Sequence, residues 1–374
     1  MTTPKPRVLV IGGLGNFGAR ICKRLAIGGQ VDVIAASRSC ENNGTHQFAS
    51  GQVVHTAKVD IDAANLIEQF TDLAPTIVIH CAGPFQSQDY RVALACCAAK
   101  AHYIDIADGR AYVANFPASL AAHATAAGIC AISGASTVPG LSSAVVDQLA
   151  QGFSRLDKID IAIAPGQQAP RGVATIKAVF SYAGQPFRRL KNGQWGQVHG
   201  WQDLRTIRFH TLGKRLAAAC DIPDLELLPA RYPTVQTVEF RAALELRVQH
   251  LALWCVAALK RLGVGLPMAR WAAPLDRFSS RFLDRFGHDR GGMRVTVQGL
   301  TNNGQAGAKT WHLTAPNGDG PEIPTLAAVL LTQKLLSNAK IEGGAFTATG
   351  LLALDEFVPE FDRWGFSTFI EEGR

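Results

Sequence analysis

The feature that most constrains this chain lies near its start, where Val8-Leu9-Val10-Ile11 runs directly into Gly12-Gly13-Leu14-Gly15-Asn16-Phe17-Gly18. The short apolar run predicts a buried strand, and the periodicity of Phe17–Ile27 predicts a helix straight after it. Gly13, Gly15 and Gly18 fit G-x-G-x-x-G, while Gly12, Gly15 and Gly18 fit G-x-x-G-x-x-G. At such a turn, glycines permit a tight bend, close backbone approach to a pyrophosphate and close helix–strand packing. The helix then presents free N–H groups and the positive end of its dipole to phosphates. A glycine-rich structural turn shares the pattern. The strand before it, the helix after it and the βαβ series it opens point to a dinucleotide-binding loop.

That series occupies residues 7–135. Strand-like runs at Arg7–Ile11, Val31–Ala36, Gln52–Val59, Thr76–Cys81, Tyr103–Ile106 and Ile129–Ser133 alternate with helical patterns. The helical stretches are Phe17–Ile27, Ala63–Leu73, Tyr90–Ala101 and Ala111–Ala127. Apolar runs that do not alternate, each followed by a helix, predict a parallel sheet covered on both faces. Right-handed crossovers make that sheet doubly wound, the Rossmann arrangement. After a helix at Leu141–Phe153 the texture changes. Ile159–Pro165, Thr234–Glu245, Met293–Leu300 and Lys309–Ala315 alternate polar and apolar residues, as strands with one wet face do. A helix-rich block at about Leu246–Arg285 interrupts them. Gly193, Gly196 and Gly200 with Trp195 and Trp201 read as loops, and Pro324–Leu336 as a helix. The expected organisation is an α/β Rossmann domain over residues 1–150 and an α+β substrate and dimerisation domain over 151–320. Residues 321–374 are expected to return to the first domain.

The end of the second predicted strand bears on the choice of dinucleotide. An NAD site usually carries an acid there for the ribose 2′-hydroxyl, whereas this chain has Ala35-Ala36-Ser37-Arg38-Ser39. Ser37 and Arg38 can hold a 2′-phosphate, with Arg38 supplying a planar donor fork, so NADP is favoured over NAD. Arg38 as a solvated loop charge is the alternative. At the edge of the third run, Asp60 can accept from the adenine amino group while Ile61 packs on the ring; Asp62 is expected to cap the helix from Ala63. The fourth run closes with Cys81-Ala82-Gly83-Pro84-Phe85 after His80, at the carboxyl edge that lines a ligand crevice.

With these motifs in place, the sequence resembles the saccharopine dehydrogenase-like family of NAD(P)-binding oxidoreductases. The resemblance rests on Gly12–Gly18, the Ala82-Gly83-Pro84-Phe85 turn, Tyr103-Ile104-Asp105 followed by Arg110, and Ser133-Gly134 through Pro139-Gly140. It covers residues 7–145. The later half looks like members of unassigned function at Gly291-Gly292-Met293 and Gly320–Pro324. The resemblance implies a Rossmann domain with an α+β domain and a cleft between them. It does not imply saccharopine as substrate, because relatives act on polyamine imines and acyl chains.

Such chemistry delivers hydride from NADPH to an imine, carbonyl or enoyl group, and a proton must come from a nearby group. Tyr103 and Asp105, two apart on a strand, face the same way and can form one polar pair. They are catalytic candidates, with a structural anchor as the alternative for Asp105. His210, in a basic stretch of the second domain, is the third candidate. Tyr-x-x-x-Lys and G-x-S-x-G are absent, which argues against short-chain reductase and hydrolase chemistry.

Charge narrows the partners. The chain of 374 residues has a formal net charge of +7, yet residues 171–294 alone carry 20 Lys and Arg against 9 Asp and Glu. An anionic small substrate or an acyl carrier is therefore the expected partner of that domain. The apolar run HLALWCVAAL, followed by Lys260 and Arg261, and the later company of Arg270, Arg277, Arg281 and Arg285 with Trp271, Phe278, Phe282 and Phe286 raise peripheral membrane contact against a core helix with solvated arginines. Eight cysteines without Cys-x-x-Cys spacing imply no metal site and a reduced cytoplasmic protein. No nucleic-acid module is present, and a homodimer is expected. The reading from another class is a non-catalytic dinucleotide-binding sensor or scaffold at a lipid surface.

Overall fold

Residues 4–40, 44–170, 172–264, 268–337 and 342–373 are described by a computed structural model. The strands are β1 (Arg7–Ile11), β2 (Asp32–Ser37), β3 (Gly44–Gln47), β4 (Val53–Lys58), β5 (Ile77–His80), β6 (His102–Asp105), β7 (Cys130–Ser133), β8 (Phe153–Ala164), β9 (Pro186–Lys191), β10 (Gln194–His199), β11 (Arg205–Phe209), β12 (Gly213–Ala219), β13 (Thr237–Ala243), β14 (Gly291–Thr301), β15 (Ala306–Ala315), β16 (Gly344–Thr347) and β17 (Ser367–Gly373). The helices are α1 (Asn16–Ala26), α2 (Leu66–Leu73), α3 (Arg91–Ala99), α4 (Arg110–Ala127), α5 (Ser142–Ala150), α6 (Val173–Tyr182), α7 (Asp224–Arg231), α8 (Arg247–Arg261), α9 (Met268–Phe278), α10 (Ile323–Leu336) and α11 (Leu354–Arg363). They fall into two units, residues 1–140 with 322–352 and residues 141–321 with 353–374.

The first unit is built on an eight-stranded sheet in the order β16-β7-β6-β5-β1-β2-β4-β3. Every neighbouring pair is parallel except β3 with β4. Val8, Leu9 and Val10 of β1 are fully buried, as are Ile77, Val78 and Ile79 of β5, which is why these runs do not alternate. The chain order reverses at β1, which lies between β2 and β5. The loops after β1 and β5 therefore flank a switch-point crevice. The antiparallel edge strand β3 has no counterpart in the sequence reading. Its burial alternates over only four residues, too short a signal to register.

Part of the C-terminal segment completes this unit. Helix α10 is apolar on nearly every side and buried from Leu326 to Val329, the pattern of a helix enclosed by protein. Arg20 on α1 and Glu322 before α10 form a largely buried ion pair at 2.5 Å. Strand β16 then adds to the sheet beside β7. The expected return of all of residues 321–374 is corrected here, since α11 and β17 belong to the second unit. The first boundary also falls earlier than residue 150, because α5 packs on strands β8, β14 and β15.

The second unit holds a seven-stranded mixed sheet in the order β11-β12-β13-β8-β14-β15-β17, antiparallel except for the central pair β13 and β8. Strands β9 and β10 form a separate hairpin. It includes Trp195 and Gly196, which read as loop in the sequence. The two-residue turn Asn192-Gly193 has φ of +51° and +75°, and Asn-Gly is the residue pair such a turn demands. The expected wet face of β13 is also corrected. Glu239 and Arg241 alternate as surface residues would, yet both are buried. Arg241 and Arg189 reach Asp203 at 2.7 and 2.8 Å, and Arg205 reaches Glu239 at 2.8 Å. The polar stripe is thus an internal charge network.

Burial alone would raise the Asp203 carboxyl, but the bonds from Arg241 and Arg189 outweigh it and hold the group down to about 2. A depressed carboxyl contributes stability that is present above its unfolded value near 4 and is lost as pH falls toward 2. Asp203→Ala is expected to lower the urea stability of the second unit by about 3 kcal/mol at pH 7, because Arg241 keeps its burial and loses its counter-charge. That deficit should shrink as pH drops from 4 toward 2.

Candidate dinucleotide-binding site

The site begins where β1 ends. Gly12 has φ +75°, a region that strains any residue with a side chain. Its N–H donates to Ala36 O of β2 at 2.7 Å, and its carbonyl accepts from Gly15 N–H at 2.8 Å. A Cβ on Gly13 would lie 2.7 Å from Ala35 Cα, so the loop must hug β2. A Cβ on Gly18 would lie 2.1 Å from Gly12 O, so α1 must pack directly on the turn. Gly15 caps α1 without a side-chain bond, and the first helical turn holds no acid. The leading N–H groups of Asn16, Phe17 and Gly18 thus open without an internal competitor onto the loop, a fit for a pyrophosphate. Leu14 is exposed at its tip.

The residues expected around the adenosine end take three different positions. Ser37 knits the loop after β2: its Oγ lies 3.1 Å from Ser39 Oγ and 3.2 Å from Cys40 Sγ. Arg38 beside it is exposed and has no ion-pair partner among the described residues. Asp60 is partly exposed and one carboxylate oxygen accepts from Asp62 N–H at 3.1 Å; Ile61 is partly exposed next to it. Asp62 does not cap a helix. Helix α2 starts three residues later than the sequence pattern suggested, after Asn65, and Asp62 pairs instead with Arg91 at 3.0 Å.

The turn Cys81–Phe85 closes over Gly12. Cys81 N–H donates to Ile11 O at 2.9 Å, and a Cβ on Gly12 would meet Ala82 N at 3.3 Å. His80 and Gln88 brace the turn, a pairing that the sequence reading missed because neither residue belongs to a recognisable spacing. His80 Nε2 lies 2.9 Å from Gln88 Oε1, while Gln88 Nε2 donates to Ala82 O and Pro84 O at 2.7 and 3.0 Å. Burial lowers the His80 ring to about 4, so it is neutral and serves as scaffold. Phe85 packs edge-on against it at 5.0 Å.

Tyr103 and Asp105 do form one pair: the phenol donates to Asp105 Oδ2 at 3.0 Å. Both are fully buried. Tyr103 stacks on Phe116 at 5.7 Å. Asp105 Oδ1 accepts from Ala107 N–H, Ser133 Oγ and Gly134 N–H at 3.0, 3.0 and 2.7 Å. Desolvation raises the Asp105 carboxyl to about 6 against these bonds, which favour the charged form. The carboxylate therefore pins the loops after β6 and β7 together. Ser133 and Gly134 are its unforeseen partners.

His210 lies in the second unit, just beyond β11, exposed and stacked on Phe369 at 4.3 Å. Thr211, Lys214 and Arg215, just after it in sequence, line a cavity of about 190 Å³ together with Glu245, His288 and Arg290. Glu245 is saturated by Arg215, by the His288 ring and by the N–H groups of Gln167 and His288, between 2.7 and 3.1 Å. Lys214 and Arg290 have no acidic partner among the described residues, so the cavity is positive.

Residues 8–132 match the family described as the saccharopine dehydrogenase NADP binding domain. The chain superposes on saccharopine dehydrogenase (L-Glu forming) of Saccharomyces cerevisiae with a TM-score of 0.67 at 12% identity, covering 99% of this chain and 100% of the other. It superposes on homospermidine synthase of Legionella pneumophila in complex with NAD with a TM-score of 0.63 at 12% identity, covering 99% and 92%. At such identity the two structures establish the shared fold. No curated protein sequence matches the chain.

Two outcomes test the site. Gly18→Ala should disrupt the first unit, whereas Gly15→Ala, whose Cβ meets only Gly12 O at 3.1 Å, should keep circular dichroism intact and weaken NADPH binding. Asp105→Ala should be less stable than Asp105→Asn by about 2 kcal/mol or more, since Ala leaves at least two buried donors unmet. A raised carboxyl loses its stabilising contribution as pH climbs from 4 through 6, so the stability of Asp105→Asn relative to wild type should rise over that window.

Proposed function

We propose that this chain, whose residues 8–132 match the saccharopine dehydrogenase NADP binding domain, is an NADP-dependent oxidoreductase acting on an imine, carbonyl or enoyl group of an anionic metabolite. One observation carries the choice of NADP: Arg38 stands exposed just past the tip of β2, where an acid for a free ribose hydroxyl is missing. Ser37 and Arg38 would hold the 2′-phosphate, Asp60 and Ile61 the adenine, and the Gly12–Gly18 turn the pyrophosphate. Bound nicotinamide supplies the hydride. Cys81–Phe85, braced by His80 and Gln88, fixes the crevice edge.

The chain's own groups divide between positioning and exposed chemistry. Tyr103 and Asp105 act through the loops they hold, since both are fully buried and bonded to protein. His210 is exposed and is the remaining proton-donor candidate of the three. An anionic substrate is supported by the positive cavity of Thr211, Lys214, Arg215 and Arg290.

Arg38→Asp should weaken NADPH binding, measured by titration calorimetry, roughly 30-fold or more while leaving NADH affinity nearly unchanged. Equal losses for both cofactors would remove Arg38 from the 2′-phosphate site. Tight NADPH binding without turnover of imines, carbonyls or enoyl compounds would favour the sensor reading.

A further inference from the structure

Helices α8 and α9 expose apolar stripes that no described residue covers. Ten of the nineteen exposed large apolar side chains among the described residues lie between Val248 and Phe286. On α8 they are Val248, Leu251 and Leu259, with Leu262 and Val264 just past its end; Val248, Leu251, Leu259 and Leu262 share one face, while His250, Leu253 and Ala257 turn inward. Leu262 is 79% exposed and Val248 66%. On α9 and the turns continuing it, Trp271, Leu275, Phe278, Phe282 and Phe286 recur every three or four residues. The Phe278 and Phe282 rings meet at a tilt with centroids 5.1 Å apart, and Phe286 is 63% exposed. Singly exposed apolar residues are ordinary, but contiguous stripes of aromatics mark a contact surface.

The charges beside the stripes identify the occupant. Arg277, Arg281 and Arg285 are exposed and each precedes one of the phenylalanines; the Arg285 guanidinium sits 4.7 Å from the Phe286 ring. Arg247 and Arg261 are exposed at the two ends of α8. Of the two acids between residues 247 and 286, Asp284 accepts from buried Gln167 at 2.9 Å and is committed to the interior. A second copy paired about a two-fold axis would set arginine against arginine. Aromatics with a basic residue at every turn instead match a medium that is anionic at its surface and apolar just beneath.

We propose that the face formed by α8, α9 and the turns to Phe286 binds the surface of an anionic lipid bilayer. Its phenylalanines and Trp271 enter the boundary between headgroups and acyl chains, and its arginines pair with phosphates. Among the described residues no helix is long and apolar enough to cross a membrane, so the contact is peripheral.

Flotation of the full chain with phosphatidylcholine vesicles, with and without phosphatidylglycerol, tests this. The chain should float only with the anionic vesicles and should release at high salt. Arg281→Glu with Arg285→Glu should weaken partition roughly tenfold or more, and Phe278→Ser with Phe282→Ser should do the same, with an unchanged thermal midpoint in both. Brominated lipid should quench tryptophan emission in the wild type and much less in Trp271→Phe. Absence of flotation, flotation that ignores both double variants, or a dimer in sedimentation that the phenylalanine variants dissolve while vesicles are not bound would each overturn the proposal.

Discussion

The first unit depends on a backbone contact that only glycine allows. The ends of β1, β2 and β5 converge so closely that Gly12 touches Ala36 on one side and Ala82 on the other, and Gly18 of the following helix lies against Gly12 O. Because no side chain intervenes, α1 starts at the crevice with its leading N–H groups unclaimed by a cap. The same economy recurs farther along that edge, where Asp105 at the end of β6 gathers N–H and hydroxyl donors from the loops after β6 and β7. One site is held by carbonyls facing amides and the other by a single buried carboxylate. Together they fix the carboxyl edge of the sheet.

Much of this edge is legible in the sequence because it depends on local rules. Short β-branched apolar runs without alternation, each bounded by turn residues and followed by a helix, read as strands buried on both faces, and a glycine cluster between such a run and a helix reads as a phosphate loop. Asp105 with Tyr103 follows from the two-residue period of a strand. What does not follow is the partner set. Nothing in the spacing of His80 and Gln88 says that they brace a turn, and nothing near Asp62 says that Arg91, on another helix, claims it before a helix does.

The second unit is less legible because polar alternation has two meanings. Glu239 and Arg241 alternate with apolar neighbours as a wet face would, and the fold covers that face. The concentrated positive charge of residues 171–294 accordingly divides into separate populations. Buried Arg189 and Arg241 and partly exposed Arg205 are neutralised by Asp203 and Glu239. Arg215 is paired with Glu245 at a cavity whose other cations stay open. Arg277, Arg281 and Arg285, at the end of α9 and in the turns after it, lie exposed beside aromatics. A charge total cannot distinguish these fates; the counter-ions, distant in sequence, decide them.

On the function proposed above, the glycine turn and the loop after β2 together hold a 2′-phosphorylated dinucleotide. A crystal structure of the chain with NADPH tests it most directly. Density is expected for the pyrophosphate over the N–H groups of Gly15–Phe17 and for the 2′-phosphate within hydrogen-bond distance of Ser37 and Arg38. Density for the cofactor away from the glycine turn, or a 2′-phosphate pointing into solvent with Arg38 unengaged, would contradict it.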